Sequence, residues 1–115
     1  MRIAQDFEAQ QGSYLEIEYT LVDANGAPIN LTGLTGNQLQ WVLGVSAAAV
    51  PLLDKIIGSG ITLSDPAAGK FKVTLQPADT VNLYGQYYVE AVHNVGGQPA
   101  VIAIGSAVIR QSEAL

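Results

Sequence analysis

At 115 residues, with ten acidic and five basic side chains, a net charge of −5 and no cysteine, the sequence supports one domain that no disulfide or thiolate zinc site can hold together. Lys70 and Lys72 alternate along one strand face and no basic cluster exists, which excludes a phosphate-tracking groove and, with it, nucleic acid as a partner. Charged residues make up 13% of the chain, against about 25% in ordinary soluble domains, and no apolar run approaches the ~18 residues of a membrane span, so the reading is a soluble chain, with no membrane partner, whose surface is partly hidden by other protein in a homo-oligomer or larger assembly.

Residues 1–12 mix charges with Gln5, Gln10 and Gln11, lack a clean period and are too polar for a secretory signal. They read as an N-terminal arm that lies on a neighbouring molecule, with Met1, Ile3 and Phe7 as its apolar contacts. Alternation begins at Ser13: Leu15, Ile17, Tyr19 and Leu21 share one side of a strand, while Glu16, Glu18 and Thr20 take the other. Asp23-Ala24-Asn25-Gly26 is a turn, and residues 27–33 form a short extended piece whose Pro28 suits an edge. Leu39, Trp41, Leu43 and Val45 face one way in the next strand, opposite Gln38, Gln40 and Val42, and Trp41 is the largest core candidate.

Residues 46–51 are alanine-rich but short and closed by Pro51, which predicts a loop. Residues 52–57 and 61–63 read as short strands broken by Gly58-Ser59-Gly60. Residues 65–69 form a turn that leaves through a left-handed Gly69, after which Phe71, Val73 and Leu75 line the inner side of a strand. Residues 77–83 hold one helical turn ahead of a corner: Leu83, Gly85 and Tyr87 follow the Leu-x-Gly-x-Tyr pattern in which a tyrosine ring enters the core and its hydroxyl bonds back to the preceding loop. Tyr87, Val89 and Ala91 point inward, and the opposite residues Tyr88 and Val92 are apolar too, which makes them candidate interface residues on a strand covered on both sides. A glycine-rich hairpin loop at 94–99 leads into a last strand over 100–110 with a bulge at Gly105, and residues 111–115 are a tail. The sum is one all-β domain over residues 13–110, an antiparallel sandwich of about seven strands.

Reactive constellations do not emerge from the spacing. His93, the single histidine, ends a strand with no serine at a nucleophile-elbow motif and reads as structural. Glu16 and Glu18 share a strand face about 7 Å apart, as paired glycosidase carboxylates can, but sit on the outer side with no aromatic platform near them in sequence. Asp23, Asp65 and Asp79 are isolated turn residues outside any calcium-loop pattern. Gly58-Ser59-Gly60 and Gly96-Gly97 lack the Lys-Ser/Thr of a phosphate loop, and Asn30-Leu31-Thr32 matches a glycosylation sequon without a secretory route. The residues therefore predict no catalytic site, no metal and no cofactor.

Three segments resemble modules of tailed-phage virion proteins. Residues 22–33, from Val22-Asp23 through Asn30-Leu31-Thr32-Gly33, are similar to a "D-x-x-G-x-P-x-(D/N)-L-T-G" segment; Asp65 to Phe71 is similar to a "D-x-x-x-G-x-(F/Y)" turn; Asp79-Thr80 to Tyr87 is similar to a "D-T-x-x-L-x-G-x-Y" corner. Together they span roughly residues 13–110, and the group they resemble is the N-terminal domain of phage baseplate upper proteins (BppU-like). That resemblance implies an immunoglobulin-like β-sandwich acting as a non-enzymatic virion structural protein that docks onto other virion subunits. It implies no catalytic residues. The chain stops at Leu115 without a downstream helical or receptor-binding region, so a tail or baseplate component and a capsid decoration protein both remain open. Made in the bacterial host cytoplasm, such a protein would reside in the virion. The alternative from a different class is a carbohydrate-binding or host-adhesion module using Tyr14, Tyr84 and Tyr88.

Overall fold

Side chains that alternate apolar and polar put one face of an extended chain against a core and the other toward water, and this alternation sets the architecture. The computed structural model describes residues 3–4, 6–22, 25–46, 50–95 and 98–111. The strands are β1 (Ile3–Ala4), β2 (Phe7–Gln10), β3 (Leu15–Thr20), β4 (Leu39–Gly44), β5 (Leu53–Ile57), β6 (Gly60–Asp65), β7 (Lys70–Leu75), β8 (Gly85–Val95) and β9 (Gln98–Arg110), with one helical turn, α1 (Pro77–Thr80), before β8. They pair in the order β1-β9-β8-β4-β5-β6-β7-β3, and β2 also pairs with β9. β4 and β3 stand far apart along that path, yet Trp41 and Tyr19 are in direct contact, so the path must fold over on itself. The fold-over is the β5–β6 junction, a two-pair contact at Ile56↔Gly60 and Ile57↔Ile61. The result is a two-layer sandwich: β1/β2, β9, β8, β4 and β5 against β6, β7 and β3.

Between the layers Trp41, Leu39 and Leu43 of β4 meet Phe71, Val73 and Leu75 of β7, all fully buried. Tyr19 stacks on Phe71 with ring centroids 5.2 Å apart, and its hydroxyl accepts a hydrogen bond from Trp41 Nε1 at 3.0 Å. An indole N–H buried without a partner is costly, so the Tyr19 hydroxyl is what lets Trp41 sit at the centre. No buried side-chain nitrogen or oxygen among the described residues lacks a partner. Burial pushes the Tyr19 phenol above its usual range, and the bond from Trp41 works in the opposite direction.

Several sequence expectations meet the structure directly. The corner forms: Tyr87 packs on the core, its hydroxyl donates to the Tyr84 carbonyl at 3.1 Å, and the Tyr84 N–H donates to the Tyr87 hydroxyl oxygen at 2.9 Å. Leu83 packs on the same core, and Gly85 opens β8 with φ of 113°. Gly69 takes the left-handed conformation, φ 75°, and a Cβ there would stand 2.5 Å from the Leu21 carbonyl oxygen and 2.9 Å from that of Ile29. Two backbone strands therefore cross over this residue, and no side chain fits.

Other expectations are corrected. Of residues 1–12, the described ones do not form a separate arm: β1 and β2 pair in parallel with β9, from Ile3↔Ala103 to Gln10↔Arg110, so the sheet is mixed and these two strands belong to the sandwich. Nine strands replace about seven because of β1 and β2; β5 and β6 fall where residues 52–57 and 61–63 are expected to form two short strands. Val45 does not follow Leu43 inward, since β4 ends at Gly44 and Val45 is exposed. The bulge in β9 is not at Gly105, which pairs with Val89; it falls at Ile102, skipped between Ala91↔Ala103 and Val92↔Val101. The tail begins at Gln111, and residues 112–115 lie outside the described residues.

Candidate functional site

β8 is central to its layer and has two unlike faces. Val89 and Ala91 are buried in the core, while Tyr88, Glu90 and Val92 point away from it. β4 pairs with β8 through Gln40↔Val92, Val42↔Glu90 and Gly44↔Tyr88, which sets Val42 beside this outer trio. Together they line an open hollow of about 270 Å³, closed at one end by Ser46 and Pro51 from the β4–β5 connection. The Tyr88 hydroxyl donates to Glu90 at 2.9 Å, and the Gln40 amide donates to Asp54 at 2.8 Å. The floor is thus apolar and half-buried, with its polar groups already satisfied by one another. Two of the candidate interface residues, Tyr88 and Val92, come together here.

Next to the hollow, the β4–β5 connection displays large apolar groups: Val50 is 85% exposed, Val45 64% and Leu52 50%, half of the six exposed large hydrophobics among the described residues. Val45 also borders a second depression, shared with Tyr88, Gly105 and Ser106, on the same outer face. From sequence, residues 46–51 read only as a loop closed by Pro51, because exposure of an apolar side chain has no periodic signature. A signal was present, since no Asp, Glu, Lys or Arg occurs anywhere in residues 24–53.

The remaining candidates scatter. Phe7 is half-buried with its ring 6.3 Å from that of Trp41, at the margin of the core and away from the Tyr88 hollow. Ile3 occupies β1 opposite Ala103, and Met1 lies outside the described residues. Tyr14 and Tyr84 are exposed, but neither borders the Tyr88 hollow. Glu16 and Glu18 lie on the exposed side of β3 opposite Thr74 and Lys72, with Ser64 donating to Glu18 at 3.1 Å. His93 is half-buried across from Leu39. Asp65 opens the turn to Gly69, and Asp79 accepts from the Gln76 N–H at 2.7 Å and from Lys55 Nζ at 2.9 Å, so its role is to tie α1 to β5; Asp23 lies outside the described residues. Among the described residues no group of three or more His, Cys, Asp or Glu could hold a metal ion, and no helix is long and apolar enough to cross a membrane.

No family model matches the chain, and no curated protein matches it. Among solved structures, the NK cell receptor Nkp44, described as a triggering partner in natural cytotoxicity, aligns with a TM-score of 0.52 at 19% identity over 95% of this chain and 98% of its own. AggA, the major subunit of aggregative adherence fimbriae type I from Escherichia coli, aligns with a TM-score of 0.29 at 9% identity over 93% of this chain and 89% of its own, too low to bear on the fold. At 19% identity the first likeness speaks to architecture alone. With the layer order, the buried tryptophan on β4 and the tyrosine corner at the start of β8, it makes this chain an immunoglobulin-like β-sandwich.

Proposed function

We propose that the protein is a non-enzymatic structural component of a tailed-phage virion, an immunoglobulin-like module that docks onto other virion subunits at the baseplate or tail or on the capsid. The observation that carries this reading is the apolar surface on the outer face: a hollow floored by Val42, Tyr88 and Val92 beside a loop that exposes Val45, Val50 and Leu52. Contiguous apolar surface of this kind, on a chain with 13% charged residues, suits a partner protein better than water. The phage resemblance of the three turn segments supplies the kind of partner. The second layer has a further docking option at β3, the terminal strand of the pairing order, whose outer edge can accept another chain's strand.

Purified particles of the encoding phage, separated into heads and tails and probed with antibody to this protein, test the reading. The protein is expected in one of the two fractions, with Val50→Asp lowering its incorporation at least tenfold while the fold stays intact. Absence from both fractions overturns it. A sugar-binding role is the second reading, favoured only by Tyr88 with Glu90 and Gln40 in one hollow. Glycan-array binding lost in Tyr88→Ala would put that reading ahead.

A further inference from the structure

β2 and β3 are consecutive in the chain and only four residues apart, yet they are not paired with each other. β2 belongs to one layer through β9, and β3 to the other through β7. The ties that hold β1, Asp6, β2 and Gln11 run to the far end of the chain. Every ladder pair joins residues one hundred positions apart, from Ile3↔Ala103 to Gln10↔Arg110. The Ser106 N–H donates to Asp6 at 2.9 Å, Arg110 donates twice to Glu8 at 3.1 Å, and the Gln11 N–H donates to the Arg110 carbonyl at 2.8 Å. Phe7 adds its contact with Trp41.

The connection that keeps this segment on its own body is slight by comparison. The turn is closed by the Ser13 N–H on the Gln10 carbonyl at 3.2 Å, and it requires Gly12 at φ 70°. The Gly12 N–H donates to the fully buried Thr80 hydroxyl at 3.0 Å, which marks where the segment leaves the body. Were residues 13–14 to run on in line with β3 instead of turning back, β1 and β2 would project from the molecule with all their partner groups intact. A second copy offers the same β9 edge and the same Trp41 margin. The segment's contacts are therefore the same within one chain or across two, and the hinge conformation together with protein concentration decides between them.

We propose that residues 3–11 exchange between two copies of this chain, β1 and β2 of each pairing in parallel with β9 of the other, to give a dimer closed by two-fold symmetry. This inference rests on connectivity and does not depend on the virion reading.

The absence of cysteine makes the test clean. Glu8 and Val108 are register partners, so a Glu8→Cys/Val108→Cys variant, refolded over a range of protein concentrations and then oxidised, locks whichever arrangement is present. Non-reducing electrophoresis under denaturing conditions should show a two-chain band that grows with protein concentration. Gly12→Val, which penalises the positive φ of the closed turn but not an extended hinge, should raise the two-chain fraction on the order of tenfold. Should the first pair impair folding, Gln10→Cys/Arg110→Cys reports on the same ladder. A crosslink confined to single chains at every concentration, in the presence of Gly12→Val as well as its absence, overturns the proposal, including when the protein dimerises by some other surface.

Discussion

The two faces of β4 and β8 are made by the same strands and differ in what covers them. Toward the core, Trp41 and Tyr19 are sealed between layers and share a hydrogen bond that no water can replace. Away from it, Tyr88 and Glu90 share a hydrogen bond of similar length over a floor of valines, and among the described residues no third layer closes on them. One face spends its apolar residues on folding; the other leaves them available to a partner. Substitutions on the first should change stability and leave attachment alone in whatever still folds, and substitutions on the second should do the reverse.

Trp41→Ala gives the largest expected effect. Emptying the centre of the core should destabilise the fold by about 3–5 kcal/mol, a large part of the ~5–15 kcal/mol typical of a small domain, and chemical denaturation monitored by circular dichroism reads it. Tyr19→Phe keeps the ring stack on Phe71 but strands the Trp41 N–H, for an expected loss of about 1–3 kcal/mol. The same variant isolates a pH effect. The unfolded phenol gives up its proton near 10.0, whereas burial holds the proton on to higher pH in the folded chain. Stability is therefore complete below pH 10.0 and drains as pH rises from there toward the folded value, and Tyr19→Phe should flatten that alkaline slope in thermal melts.

On the outer face, Val50→Asp should move stability by no more than about 0.5 kcal/mol while abolishing attachment, which would set the two faces apart most sharply. A matching loss of stability would show that the loop is part of the core after all. The smallest effect belongs to Glu8, whose carboxyl is held below its ordinary 4.5 first by the hydrogen bond from Arg110 and then by its charge. Stability from this exposed pair is present above pH 4.5 and lost as pH falls toward the folded value, so Glu8→Gln should lower thermal stability slightly above pH 4.5 and flatten the acid slope by the same small amount.

The elements legible from sequence are those whose partner faces lie in local periodicity. Leu15, Ile17 and Tyr19 alternate with glutamates and threonine; Phe71, Val73 and Leu75 alternate with lysines and threonine; Leu83, Gly85 and Tyr87 carry a corner in five residues. β2 was hidden for the opposite reason. Phe7 and Ala9 do turn inward, but two inward residues make no readable period, and the strand they pair with begins some ninety residues later. The β9 bulge was assigned to a glycine because glycine is the local signal for irregular backbone, while the register is set by the whole length of the hairpin and slips at Ile102. The outer hollow escaped notice because it needs Val42, Tyr88 and Pro51 to be neighbours, and only the β4–β8 pairing makes them so.

Parallel pairing of the first strands with the last one has a practical corollary for labelling. Ile3 sits beside Ala103 and Arg110 beside Gln10, so the two ends of the paired region emerge at opposite poles, about 23 Å apart along the strand. A fluorescent tag fused ahead of the chain and one fused behind it would mark different poles of the molecule, and a pair of such fusions would report which way up it stands in any assembly that holds it.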